Sequence, residues 1–298
     1  MQTFYYYKTR TLITQKANAM KRKNRSSFLF ILILIIAAIS FLPNAFANDA
    51  LSNLQKEEDF IKNLYDQDKQ SVVQIRVELD PAKISENNNN QDQNTNPPKK
   101  FIPPILKEDI HVEPNLVQSY STGTGFIITP DGEILTNYHV IEAYKEIEVR
   151  LSTGAIFKAN VVGFDKNSDV ALLKIRMGKK INLPVLALGD SNSIFVTQKI
   201  MVIGHPFSLS WTPSLGNISG LERNADVGQP TLTQIQTSVN PGNSGSPLIT
   251  ILDNKVVGIV NGKVANGENI GFAIPINSVK SLLSQLRSSQ KIVPKEGP

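Results

Sequence analysis

Three short stretches hold residue types that could do chemistry together. In Asn240-Pro-Gly-Asn-Ser-Gly-Ser-Pro247 a serine, Ser244, is bracketed by Gly242 and Gly245. Glycines on both sides let the backbone turn sharply and aim consecutive N–H groups at one point. An exposed hydroxyl beside such a nest is what a nucleophile and its oxyanion hole require. The same residues are common turn formers, so the stretch alone reads equally well as an ordinary loop. In Thr136-Asn-Tyr-His-Val140, His139 follows the apolar run after Glu133. A histidine there is either a general base or a hydrogen-bonded structural residue. In Asn167-Ser-Asp-Val-Ala-Leu-Leu-Lys174, Asp169 stands immediately before an apolar run. It either orients a base or caps a turn.

The chain has 3 histidines and no cysteine. His111 sits beside a low-complexity stretch and His205 in the turn-like Gly204-His-Pro-Phe207, which leaves His139 as the candidate base. Without cysteine there is no thiol nucleophile, no cysteine metal site and no disulfide, so the protein must be held by its own core. At 298 residues and 41% hydrophobic content it is long enough for one large domain or two small ones.

The elements that must position these residues read as strands. From Tyr120 onwards short β-branched runs alternate with turns: Gly125-Phe-Ile-Ile-Thr before Pro130-Asp-Gly, Glu148-Val-Arg-Leu before Ser152-Thr-Gly, Lys255-Val-Val-Gly-Ile-Val before Asn261-Gly262. That rhythm predicts an all-β barrel or sandwich. Ser71–Leu79 alternates as a half-buried strand, and Leu51, Leu54, Ile61 and Leu64 predict a short amphipathic helix before it. Residues 81–104, with four asparagines at 87–90, cannot bury apolar surface and predict a long polar loop. A closing helix is expected with Asn277 as N-cap and Val279, Leu282, Leu283 and Leu286 on one face.

Residues 1–47 read as a leader. Lys21-Arg22-Lys23-Asn24-Arg25 forms a basic region, Phe28–Leu42 an apolar run, and Ala45-Phe46-Ala47 an A-x-A cleavage site. Cleavage would release a chain starting at Asn48; an uncleaved inner-membrane tether is the rival, and Met20 is a rival start. The formal net charge of +5 belongs to this leader, which carries Lys and Arg but no Asp or Glu. The remainder is slightly acidic, which argues against nucleic acid as a partner.

Together the three stretches supply a base, an orienting acid and a nucleophile in the order His, Asp, Ser, the order of chymotrypsin-like enzymes. Here the sequence resembles the protease domain of the HtrA family of serine proteases, from about Ser71 to Leu286. The resemblance is carried by Gly123-Thr-Gly-Phe126, Thr136-Asn-Tyr-His-Val140, Ser168-Asp-Val-Ala-Leu172, Leu188-Gly-Asp-Ser191, Val202-Ile-Gly-His-Pro-Phe207, Gly242-Asn-Ser-Gly245 and Ile270-Gly-Phe-Ala-Ile-Pro275. It implies a chymotrypsin-like double β-barrel with a C-terminal helix: an N-terminal segment at 48–70, a first barrel at 71–180 and a second at 181–290. It implies His139, Asp169 and Ser244 as catalytic residues and Gly242, Asn243 and Ser244 around the oxyanion, with neither metal nor cofactor. By the same resemblance the substrate pocket lies between Thr237, Ser238, Val239 and Asn240 on one wall and Ile259, Val260 and Asn261 on the other. Those walls predict a small, apolar residue before the scissile bond.

Unfolded or exported polypeptides in the periplasm or cell envelope are the implied substrates. A homotrimer built through the segment before Ser71, with Phe60 and Tyr65 between subunits, is the implied assembly. Two departures stand out. Ser246 replaces the glycine usual after the nucleophile motif, and the twelve residues after Leu286 leave no room for a PDZ domain. Two rival functions are a chaperone-like peptide-binding module that seldom cuts and a membrane-tethered signalling protease with one substrate.

Overall fold

The computed structural model describes residues 49–80, 120–178, 181–223, 231–263 and 269–288. The leader, the polar loop 81–104 and His111 lie outside the described residues. The chain divides into two units, 1–60 and 61–298. In the first, residues 49–60 are helical, with Leu51, Leu54 and Phe60 exposed. In the second, the helical stretch 61–68 buries Leu64 against the core and packs Ile61 and Tyr65 beside it. The Tyr65 hydroxyl donates to the Trp211 carbonyl at 2.7 Å, so this ring is engaged within its own chain. Of the two aromatics expected between subunits, only Phe60 is left exposed.

Two closed antiparallel barrels of six strands form the second unit. β1 (Val72–Leu79), β2 (Tyr120–Ile127), β3 (Glu133–Thr136), β4 (Tyr144–Arg150), β5 (Ile156–Asp165) and β6 (Val170–Ile175) close in the order β1-β2-β3-β6-β5-β4. β7 (Lys199–Gly204), β8 (Thr212–Arg223), β9 (Leu232–Gln236), β10 (Pro247–Thr250), β11 (Lys255–Lys263) and β12 (Gly271–Pro275) close in the order β10-β11-β12-β9-β8-β7. Closure leaves no unpaired edge, and alternate residues fill each interior. Ile75, Ile127, Ile134, Val149 and Leu173 fill the first; Ile200, Val202, Ile235, Leu248 and Val260 fill the second. A third cluster joins them, with Phe126 and Leu172 from one barrel meeting Ile203, Ile259 and Ile274 from the other.

Two helical pieces complete the frame, α1 (Tyr138–Ile141) after β3 and α2 (Ile276–Ser288) after β12. Asn277 is not the N-cap of α2, which begins one residue earlier. The Asn277 N–H is instead capped from outside by Ser191 Oγ at 3.1 Å, and its side-chain amide donates to Asp190 at 2.6 Å. A hydroxyl from a neighbouring loop thus satisfies one of the orphan donors at the helix start. At its other end α2 returns to the first barrel, where Arg287 forms a two-pronged pair with Glu133, Nη2 to Oε2 at 2.7 Å and Nε to Oε1 at 3.1 Å.

Ahead of β1, Asp68 is buried and accepts a 3.1 Å hydrogen bond from the Asn254 amide. Burial pushes its carboxyl up to about 6, against a smaller downward pull from Asn254. An unfolded aspartate titrates near ~3.9. Between those values the folded chain holds a proton that the unfolded chain has lost, so stability falls as pH rises from about 4 to 6 and stays lower above it. Asp68→Asn removes the buried charge and keeps an acceptor. It is expected to raise Tm at pH 7.5 by roughly 2 to 4 °C for each kcal/mol relieved, with no gain at pH 4. Melting curves at the two pH values check this; an equal shift at both would contradict it.

Candidate active site

The candidate acid and base come from the first barrel. β3 delivers the chain to α1, whose single turn carries His139 half-exposed at the surface. Asp169 stands before β6 with φ of +52°, a left-handed conformation that Asp and Asn adopt more readily than most residues. The Asp169 carbonyl accepts from Tyr138 N–H at 3.2 Å and from the Asn137 amide at 3.0 Å. Its Oδ1 accepts the His139 N–H at 2.8 Å, and its Oδ2 lies 2.6 Å from His139 Nδ1. Backbone and ring of His139 are thus fixed by one carboxylate. With the proton held on Nδ1, Nε2 is the nitrogen left to take a proton.

A third donor reaches the same acid from the second barrel. Asn261 Nδ2 bonds Asp169 Oδ2 at 2.8 Å. The pairing of β11 with β12 shifts register between Val260 and Gly262, so Asn261 sits at an irregularity of the ladder. Bulges commonly re-aim a side chain beside a site in this way.

Ser244 lies on the loop between β9 and β10. Gly242 and Gly245 both have positive φ, +101° and +84°. Neither position has room for a side chain: a Cβ on Gly242 would strike the His205 carbonyl, and one on Gly245 the Thr124 carbonyl. The loop is sewn to its surroundings by Thr124 N–H to Ser244 O and Gly245 N–H to Val260 O, both 2.9 Å. Asn243 N–H bonds Asn240 O at 2.9 Å and its amide bonds Ser238 O at 3.2 Å, so the Asn243 backbone donor is used inside the loop and is not free for an oxyanion. The N–H groups of Gly242 and Ser244 have no acceptor among the described residues. Ser246, the departure from the resemblance, is fully buried, and its carbonyl accepts from Val260 N–H at 2.9 Å. The Ser244 hydroxyl donates to the Asn261 carbonyl at 3.3 Å, a long bond that a bound substrate can displace.

The predicted pocket walls divide. Thr237, Ser238, Val239 and Asn240 line a cavity of about 230 Å³, whose other wall is Lys263, Asn269 and Ile270. Ile259 and Val260 do not line it: Ile259 packs between the barrels and Val260 inside the second. Asn261 faces the acid instead. Alternation along β11 shows which residues share a face, but only the pairing with β12 shows which face meets the cavity.

His205 is fully buried and stacks edge-on to Trp211 at 4.8 Å. Burial, helped by the charge of Arg150, pushes its ring down to about 4, which keeps it neutral at ordinary pH. A ring that takes up a proton so reluctantly is a poor general base.

Comparison with known proteins agrees with this geometry. Residues 123–259, which contain His139, Asp169 and Ser244, match the trypsin-like peptidase domain family. The serine protease HhoB of Synechocystis is 31% identical over 223 residues, 73% of this chain and 51% of HhoB. A periplasmic serine endoprotease, DegP-like, of Halomonas elongata is 43% identical over 178 residues, 58% of this chain and 36% of that protein. The chain thus spans about half, or less, of the length of the curated relatives it matches. Among solved structures, the HtrA-type protease AlgW with a tripeptide superposes with a TM-score of 0.59 at 26% identity, covering 76% of this chain and 63% of AlgW. With the double barrel, the His–Asp pair and these relatives in agreement, the chain belongs to the HtrA family of trypsin-like serine proteases.

Proposed function

We propose that the protein is a serine endopeptidase that hydrolyses unfolded or exported polypeptides in the cell envelope, in protein quality control. The observation that carries this is the convergence of three donors on Asp169, which fixes His139 with Nε2 free, beside a serine flanked by two unused N–H groups. In the proposed cycle His139 takes the Ser244 proton as the hydroxyl attacks the scissile carbonyl. The tetrahedral oxyanion is held by the N–H groups of Gly242 and Ser244, and His139 returns the proton to the leaving amine as the C–N bond breaks; a water deprotonated by His139 then attacks the ester, releasing the acid and restoring the Ser244 hydroxyl. Hydrolysis of denatured casein by the purified protein, against the Ser244→Ala control, tests the proposal; equal rates would end it. A DegP-like relative named as periplasmic supports the location, and a homotrimer belongs to the same proposal.

One observation favours a second reading. The Ser244 hydroxyl rests on Asn261 O and not on His139, as in a peptide-binding module that seldom cuts. Casein turnover decides between the two.

Lys263 revises the expected specificity. A small residue before the scissile bond still suits a cavity of about 230 Å³, but a lysine on the wall repels Lys or Arg there and gives an acidic side chain a partner. Lys263→Glu is expected to raise kcat/KM for substrates with Arg at this position by about fivefold, the worth of a ~1 kcal/mol exposed pair. Matched peptides differing only at that residue measure it. A wild-type enzyme that prefers Arg would show the cavity to be misassigned.

A further inference from the structure

The Gly242 N–H can serve an oxyanion only while the two peptide planes that meet at Gly242 keep their orientation. Glycine at φ of +101° resists rotation of those planes weakly, so the restraint must come from hydrogen bonds: Asn243 N–H to Asn240 O inside the loop, at 2.9 Å, and the partners of the neighbouring carbonyls. Both carbonyls have one, and both partners lie outside the loop. The Pro241 carbonyl accepts the Phe207 N–H at 2.8 Å, and the Gly242 carbonyl accepts the Thr124 hydroxyl at 2.7 Å. In a trans peptide the C=O and the following N–H point in opposite directions. Holding Pro241 O against Phe207 therefore turns the Gly242 N–H away from the 205–207 segment.

Thr124 has its own supports. Its one hydroxyl proton is spent on Gly242 O, so the contacts from His205 N at 3.1 Å and His205 Nδ1 at 3.2 Å must both be donations to it. This assigns the Nδ1–H tautomer to the buried ring. Trp211, packed against that ring, is itself tied by its indole N–H to Val72 O at 2.9 Å. Phe207 and Ser208 both adopt left-handed backbone, φ +51° and +66°. Such strain in two non-glycine residues persists where surrounding structure enforces it, and here it presents the Phe207 N–H to Pro241.

We propose that the Thr124 hydroxyl and the Phe207 N–H are positioning groups of the oxyanion hole, pinning the carbonyls on both sides of Gly242, with His205 orienting Thr124. Thr124 belongs to β2, so one hydroxyl couples the barrel that holds the base to the loop that holds the nucleophile. This rests on the protease reading above.

The test is steady-state kinetics on a peptide substrate, with melting curves, for Thr124→Val, Thr124→Ser and His205→Phe. Thr124→Val keeps the shape and loses the hydroxyl. It is expected to lower kcat by about 10- to 100-fold, less than the loss of a whole oxyanion donor, with KM within about twofold. A peptide aldehyde, whose hemiacetal oxygen occupies the same hole, should weaken by a similar factor. Thr124→Ser should recover most of the rate. His205→Phe retains a ring against Trp211 but loses the Nδ1–H; it should lower kcat several-fold at unchanged KM, and it carries the test should Thr124→Val fail to fold. Wild-type kcat in either Thr124→Val or His205→Phe, or a serine variant as slow as the valine one, overturns the proposal. An inactive wild type would instead overturn the protease reading on which it rests.

Discussion

Asp169→Asn is expected to lower kcat by about 10⁴-fold, the loss that this change causes in well-studied two-barrel serine proteases. The backbone should accept it, because Asn suits the left-handed conformation at this position. The side chain cannot be satisfied. If the amide oxygen keeps the His139 N–H, the amide nitrogen faces both His139 Nδ1 and Asn261 Nδ2, where Oδ2 now accepts. Two amide donors would then converge, and His139 would be driven to the tautomer with its proton on Nε2, which cannot act as a base. Some loss of stability should accompany the loss of rate. Asp165→Asn is the control: Asp165 Oδ1 caps the Ser168 N–H at 2.7 Å in the turn before Asp169 and touches no part of the triad. A fluorophosphonate probe of Ser244 should label that variant normally and label Asp169→Asn very slowly. The reverse pattern would show the acid to be misassigned.

A still larger effect is expected of Ser244→Ala, about 10⁶-fold in kcat by analogy with nucleophile removal in subtilisin. Its structural cost should be small. The hydroxyl is only partly buried and makes one long bond, to Asn261 O, while the loop is held by backbone bonds of Thr124, Gly245 and Val260. Melting temperature should therefore stay close to wild type, and unfolded substrate should still bind. Residual casein hydrolysis above about one part in a hundred, in protein free of wild type, would mean that Ser244 is not the nucleophile.

The two barrels were legible because their signals are local. Strand alternation at Val72–Leu79 and the turns after Ile127 and Leu151 follow from neighbouring residues, and His139 and Asp169 each sit at the end of an apolar run. What was hidden depends on register between distant strands. Asn261 reads as pocket wall until the β11–β12 irregularity turns it onto Asp169. Lys263, which follows the expected turn Asn261-Gly262, carries no local sign that it meets Thr237–Asn240 across the cavity. Thr124 lies in a stretch that carries the resemblance, but only the fold brings its hydroxyl to the Gly242 carbonyl. Asn277 reads as a cap because no local pattern reveals that Ser191 already supplies one.

The return of α2 to the first barrel bears on how such an enzyme is made. His139 and Asp169 are translated with the first barrel, long before Ser244 and Asn261, and the Arg287–Glu133 pair that ties the second barrel's last helix to β3 can form only after both. On the proposed mechanism, a chain still emerging from the ribosome, or threading across a membrane on the proposed export route, has a base with no nucleophile to activate. The order of synthesis itself acts as a safety catch, delaying cutting power until nearly the whole domain has left the machinery that produced it.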